Sequence, residues 1–172
     1  MATFTQIGSG VVVGGAGAAT IAFSSIPSTY TDLVIKVSVR GDATFATQQM
    51  YLTFNGTTSG YTARQVYGDG SSATSATLSN SGAAISIVNT NTSVSTANTF
   101  SSSEIYVRNY AGSNYKSVSA DSVTENNATA ALAGLTAGLW SNTAAITTVT
   151  LTPQSGNFVQ YSTAYLYGVS NA

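Results

Sequence analysis

The chain of 172 residues has no cysteine and no histidine, and only eleven side chains carry a formal charge, five cations against six anions. Lack of cysteine excludes disulfides and thiol nucleophiles. Lack of histidine removes the commonest zinc ligand, the usual general base and the side chain that titrates nearest neutrality. A net charge of −1 leaves no basic footprint for nucleic acid or for an anionic membrane surface. Long hydrophobic runs are missing too. The longest, Ala130 to Trp140, is about half the ~20 residues of a membrane span and holds two glycines. The apolar run Val11 to Phe23 has no cation before it, since the first is Lys36, so it lacks the positive start of a secretory signal. The chain therefore reads as mature from Met1, soluble and without a membrane-inserted segment.

What is present is hydroxyl, amide and small residues: 26 Thr, 25 Ser, 24 Ala, 16 Gly and 12 Asn, with 10 Tyr and 2 Pro. A hydrophobic share of 43% suffices for a core, so the surface must consist of hydroxyls and amides rather than ion pairs. Weak self-repulsion at this charge suits a protein that joins an assembly. The length fits one domain of roughly 100–200 residues. It spans residues 1–172, with 1–19 expected to form a Gly-rich strand and hairpin segment.

Period-two patterning recurs throughout. Leu33, Ile35, Val37 and Val39 share one face while Lys36, Ser38 and Arg40 share the other. Glu104 to Tyr110 alternates likewise. Further strand-like runs are Thr3–Ile7, Thr20–Phe23, Met50–Phe54, Ala83–Val88, Tyr115–Val123, Ala145–Leu151 and Val159–Val169, rich in β-branched and aromatic residues. Turn chemistry separates them: Asn55-Gly56 is the strongest hairpin signal, and Ser9-Gly10, Gly14-Gly15, Asp69-Gly70, Ser81-Gly82, Gly112-Ser113 and Gly156-Asn157 mark other reversals. The expected fold is all-β: an antiparallel β-sandwich, jelly-roll-like, of about eight to ten strands. Thr129 to Leu139 is the one helix candidate; Gly134 and Gly138 interrupt it, and Ala-rich strand or loop fits equally. Ser71–Ser81 and Asn89–Ser103 read as long surface loops or weak edge strands.

No motif carries catalysis. Val11 to Ala19 imitates a dinucleotide-binding glycine turn, but a strand and turn follow it instead of the helix that would hold a pyrophosphate. Arg40-Gly41-Asp42 spells an adhesion tripeptide at a place where strand-ending turn chemistry explains it. Lys116 and Ser117 are strand neighbours and point to opposite faces, so they form no dyad. Asp121 and Glu125 share a face only if their segment is regular strand, and Glu104, Arg108, Lys36 and Arg40 are expected to pair across strands or keep edges soluble. Gly68 to Ser72 holds one carboxylate, too few for calcium. The expectation is a protein that is not an enzyme, with no catalytic residue, no metal and no cofactor. Tyrosine is the rigid amphipathic residue of interfaces and sugar-stacking surfaces, so Tyr61, Tyr67, Tyr110, Tyr115 and Trp140 are the candidate interface or glycan contacts, although tyrosine also fills the margins of sandwich cores and Trp140 is expected in the core or a subunit interface with its indole N–H hydrogen-bonded.

Phe23-Ser-Ser-Ile-Pro-Ser-Thr-Tyr-Thr-Asp-Leu-Val34 resembles the opening of small structural proteins carried on tailed-bacteriophage virions. Leu52–Gly56, Asn109-Tyr110, Tyr115–Ser117, Trp140–Ile146 and Tyr165-Leu-Tyr-Gly-Val169 continue the resemblance in order, from Thr20 to Val169. It implies a β-sandwich or jelly roll without catalysis and transfers no binding residue. Strands that start near Met1 and end near Ala172 predict no adaptor arm. That favours a decoration or cement protein docked on the major capsid protein at the capsid surface, where many copies make weak contacts sufficient. The alternative is a tail-associated fibre or tip module that binds a host-surface glycan. A homotrimer is expected for either, by analogy with virion proteins of similar shape.

Overall fold

The computed structural model describes residues 1–78, 82–127 and 131–170, with backbone only at Val88. Twelve strands run β1 (Thr3–Val12), β2 (Ile21–Phe23), β3 (Asp32–Val39), β4 (Gln48–Phe54), β5 (Tyr61–Gly68), β6 (Ala73–Thr77), β7 (Ile85–Thr90), β8 (Ser101–Val107), β9 (Lys116–Val123), β10 (Ala133–Trp140), β11 (Val149–Pro153) and β12 (Thr163–Ser170). No helix occurs among the described residues. The strands form two antiparallel sheets. One has eight strands in the order β1-β12-β3-β8-β9-β10-β5-β6, and the other has four in the order β2-β11-β4-β7.

The four-strand blocks β1-β12-β3-β8 and β2-β11-β4-β7 carry the chain order of a jelly roll. Two hairpin insertions depart from it. β5–β6 comes between β4 and β7, β9–β10 comes between β8 and β11, and both join the larger sheet. These insertions account for three strands beyond the sequence expectation. β10 occupies the helix candidate from Ala133 onward, Thr129 and Ala130 lying outside the described residues; β6 is an edge strand within Ser71–Ser81, and β5 was not anticipated at all.

The core follows the alternation. Leu33, Ile35, Val37 and Val39 on β3 are buried while Lys36 between them is exposed. From the smaller sheet, Met50, Leu52, Phe54, Ile85, Ile87, Val149 and Leu151 meet them, all fully buried. Each such side chain contributes about 1.5–3 kcal/mol by leaving water. β7 lies across β5, β8, β9 and β10. There Gly138 lets the sheets approach, because a Cβ on it would lie 2.7 Å from the Ile85 Cγ2 atom.

Three turn readings are corrected. Asn55-Gly56 does not close a hairpin, since β4 and β5 belong to different sheets. Asn55, at φ 52°, instead uses its amide to bond Ala145 O (2.8 Å) and to accept from the Thr147 and Thr148 amides (2.8 and 3.1 Å). The Gly-rich segment likewise carries the chain from one sheet to the other rather than folding back as a hairpin, because β1 pairs with β12 and β2 with β11. Ser9-Gly10 marks the register shift between Ile7 and Val11 inside β1, not a reversal. Asp69-Gly70 does close the β5–β6 hairpin. Of the expected Ser81-Gly82 turn, Ser81 lies outside the described residues.

Candidate functional site

Three of the five aromatic candidates, Tyr61, Tyr110 and Trp140, take the core alternative rather than that of a surface contact. Tyr61, Trp140 and Lys116 stand opposite one another on β5, β10 and β9, facing inward. Trp140 stacks on Tyr61 with ring centroids 6.0 Å apart, and Phe54 of the other sheet tilts against it at 5.5 Å. The Tyr61 hydroxyl accepts from the Phe54 amide at 2.8 Å, and burial raises its pKa. Tyr110 is fully buried, with its hydroxyl donating to Pro27 O. Tyr67 is half-buried, and only Tyr115, at 56% exposure, is open to a partner. The hydrophobic body of Tyr and Trp, placed at inward positions of the alternation, outweighed their aptitude for surfaces.

The residues behind the phage-protein resemblance converge in space. The Tyr30 ring lies on Gly168, where an added Cβ would come within 2.2 Å of it. Pro27 O receives the Tyr110 hydroxyl, and the Asp32 carboxylate accepts from the Tyr106 hydroxyl (2.6 Å) and the Asn109 amide (2.7 Å). The hydrogen bond to Asp32 raises the Tyr106 pKa. Three distant segments are thereby tied together, and their shared pattern is one of framework residues.

The charged groups are mostly engaged with backbone. Arg40 is 9% exposed and pairs with no carboxylate. Its Nη1 donates to Thr96 O (2.8 Å) and Thr99 O (3.0 Å), and its Nη2 to Ser95 O (2.9 Å) and Ser93 O (3.4 Å). Burial lowers its pKa. Asp42 accepts from the Asn157 amide at 2.7 Å. Arg40-Gly41-Asp42 thus clamps two loops, and its arginine is not presented for adhesion. Lys116 is fully buried, donates to Gly112 O (2.7 Å) and Asn114 O, and has its pKa lowered by burial. Ser117 points the other way, as expected. The Asp69 carboxyl, held at about 2 by the Ser72 and Ser71 amides, closes its own turn. β9 ends at Val123, so Glu125 lies beyond the regular strand that a carboxylate pair with Asp121 would need. Among the described residues no group of three or more acids could hold a metal.

What remains is the outer face of the larger sheet. One row across it reads Tyr165, Lys36, Glu104, Asp121, Leu135, Val66 and Ser75. Lys36 and Glu104 form an ion pair at 2.9 Å across β3 and β8, one case of the cross-strand pairing expected for the charged residues, and this contact raises the lysine's pKa. Arg108 lies 5.8 Å from the Tyr106 ring centroid. Tyr165, Lys36, Glu104, Asp121, Ser102 and Thr163 line a polar hollow of about 330 Å³. Farther along, Val66, Val123 and Leu135 are 47%, 44% and 59% exposed. Hollows of about 460 and 400 Å³ flank Leu135 on either side, the first lined by Arg64, Asp121 and Ala137, the second by Val123 and Ala133. Such a surface can stack, hydrogen-bond and bury apolar area. Sequence reasoning missed Leu135 and Val66 because β10 and β5 were not recognised; the alternation Ala133, Leu135, Ala137, Leu139 was the available signal.

Comparison with protein-family models, with curated proteins and with solved structures returns no match.

Proposed function

We propose that the protein is a non-enzymatic structural component of a tailed-phage virion, mounted on the capsid surface against the major capsid protein. The observation that carries the reading is the jelly-roll strand order, an architecture of viral capsid and lectin domains, bearing a wide, uncovered outer face. The resemblance over Thr20–Val169 supports it, because the residues that make the resemblance hold this framework together. The use of Arg40, Lys116, Asp42 and Asp69 in bonds to backbone also supports a role without catalysis. Immunogold electron microscopy of purified virions with antibody against this chain tests the proposal. Label over heads is expected; label confined to tails refutes the capsid placement, and unlabelled virions refute the virion role altogether.

The polar hollow beside Tyr165 favours one second reading, recognition of a host-surface glycan from the tail. A sugar would stack on the tyrosine and hydrogen-bond to Lys36, Glu104 and Ser102. Glycan-array binding that is lost in Tyr165→Ala, together with tail label, is the result this reading requires.

A further inference from the structure

We propose that two copies of this chain pair face to face through the outer surface of β9, β10 and β5, about a two-fold axis running along β10. The inference stands apart from the virion reading.

Charge placement is the first argument. Asp121 faces Glu104 directly across β8 and β9. Like charges so placed repel, and the nearby cation, Lys36, is already paired with Glu104. Asp121 is therefore an exposed carboxylate without an ion-pair partner among the described residues. Arg64 is exposed on the opposite flank of β10, with one hydrogen bond, to Ala63 O. On β10 itself, Leu135 opposes Asp121 on one side, and Ala137 opposes Arg64 on the other. Rotation about β10 exchanges the flanks and brings Arg64 of one copy over β9 of the second. It arrives one residue pair along the strand from Asp121, about 6.8 Å at 3.4 Å per residue, within the reach of an arginine side chain. The symmetry makes two such ion pairs, each supplying the cation that Asp121 lacks.

Shape is the second argument. Along the axis the contact residues are Leu135 and two alanines, so the backbones can approach closely. A two-fold axis leaves each residue at its own level along β10, so Leu135 of one copy meets Leu135 of the second, with Val66 and Val123 at the margins. An isologous contact demands such self-complementarity of one patch. At −1 per chain, net repulsion between copies is slight.

Sedimentation equilibrium of the full chain tests the proposal. The expected mass is twice 17.5 kDa. Leu135→Asp is expected to sediment as a monomer with its β circular-dichroism spectrum retained. Arg64→Glu and Asp121→Arg, both at exposed sites, are each expected to raise the dimer Kd about tenfold or more, and the double variant to recover most of that loss. A monomeric or trimeric wild type overturns the proposal. So does a folded Leu135→Asp dimer, or a double charge reversal that pairs no better than the weaker single variant.

Discussion

Replacing Arg40 with methionine keeps the aliphatic stem and removes the guanidinium. Four carbonyls, of Ser93, Ser95, Thr96 and Thr99, then lose the guanidinium's hydrogen bonds, Thr96 O alone keeping those from the Thr99 amide and hydroxyl, in a site where the arginine was 9% exposed. A hydrogen bond to a charged group contributes about 1.5–3 kcal/mol net. The four do not simply add, because methionine spares the cost of burying a charge and water can reach part of the loop. The expected loss is about 2–4 kcal/mol, enough to rank among the large single-site effects. Urea unfolding followed by fluorescence of Trp140, the single and buried tryptophan, reads it directly. Arg40→Lys should fall between, since one ammonium cannot span carbonyls on both sides of the loop. Hydrogen exchange should localise the damage. The amides of Gly41, Ser93 and Ser95, bonded to Asn91 O, Ala43 O and Thr92 O, should exchange faster than those of β3. An Arg40→Met protein within about 0.5 kcal/mol of wild type would refute the clamp, since that is the range of an ordinary surface substitution.

Gly168→Ala should lower stability by about 1–3 kcal/mol, an overpacking cost, because the new Cβ meets the Tyr30 ring; a neutral effect in thermal melts that persists with Tyr30 intact refutes that close approach. The hydroxyls of Ser103 and Ser122 bond each other at 2.8 Å inside the sandwich. Ser103→Ala alone should cost about 1–3 kcal/mol by orphaning Ser122, while the double alanine variant should be closer to wild type, and simple additivity in the mutant cycle refutes the pairing. Burial lowers the pKa of Lys116, so between its folded value and the ordinary 10.5 the unfolded chain holds more protons and this lysine's contribution to stability rises with pH. The stability of wild type relative to Lys116→Met should therefore improve as pH approaches 10.5; a pH-independent difference refutes the assignment.

The β class and the core face of β3 were legible because alternation there is uninterrupted and one face is uniformly branched. β5, β6 and β10 were harder to read for a physical reason. β6 is small or hydroxylated on both faces, as Ala-Thr-Ser-Ala-Thr, β5 mixes Arg64 with Val66 on one face and Gln65 with Tyr61 on the other, and β10 puts Gly134, Thr136 and Gly138 on its buried face, so period two leaves little contrast between apolar and polar sides. Asn55-Gly56 shows the limit of a local turn signal. The dipeptide reverses the chain wherever it occurs, but whether the next strand joins the same sheet is decided by distant partners such as Thr147 and Thr148. The aromatic candidates failed similarly. Nothing local distinguishes a Tyr61 that stacks on Trp140 from a Tyr115 that faces solvent, and only the register across β5, β10 and β9 separates them. Arg40 was misplaced because its partners are carbonyls, which every residue supplies and no sequence pattern marks.

The insertions are where the fold departs from what stability requires. β1-β12-β3-β8 against β2-β11-β4-β7 is already a balanced sandwich, four strands on four. Adding β9, β10, β5 and β6 to one sheet only gives that sheet strands the smaller one cannot match in number, and β7 with the Phe54 ring of β4 lies against them. Their inner side carries Tyr61, Val118 and Trp140 beside small or polar groups, Ala63, Ala120, Ser122, Thr136 and Gly138, while Val66, Val123 and Leu135 are exposed on the other side. A chain selected for monomer stability alone would place those residues inward, at roughly 25 cal/mol for each Å² of apolar surface removed from water. Their outward position, beside an unpaired Asp121, is the arrangement of a surface meant to be covered. The insertions thus serve two surfaces at once: Tyr61, Val118 and Trp140 join the core, and Val66, Val123 and Leu135 form the outer face on which the proposed pairing rests.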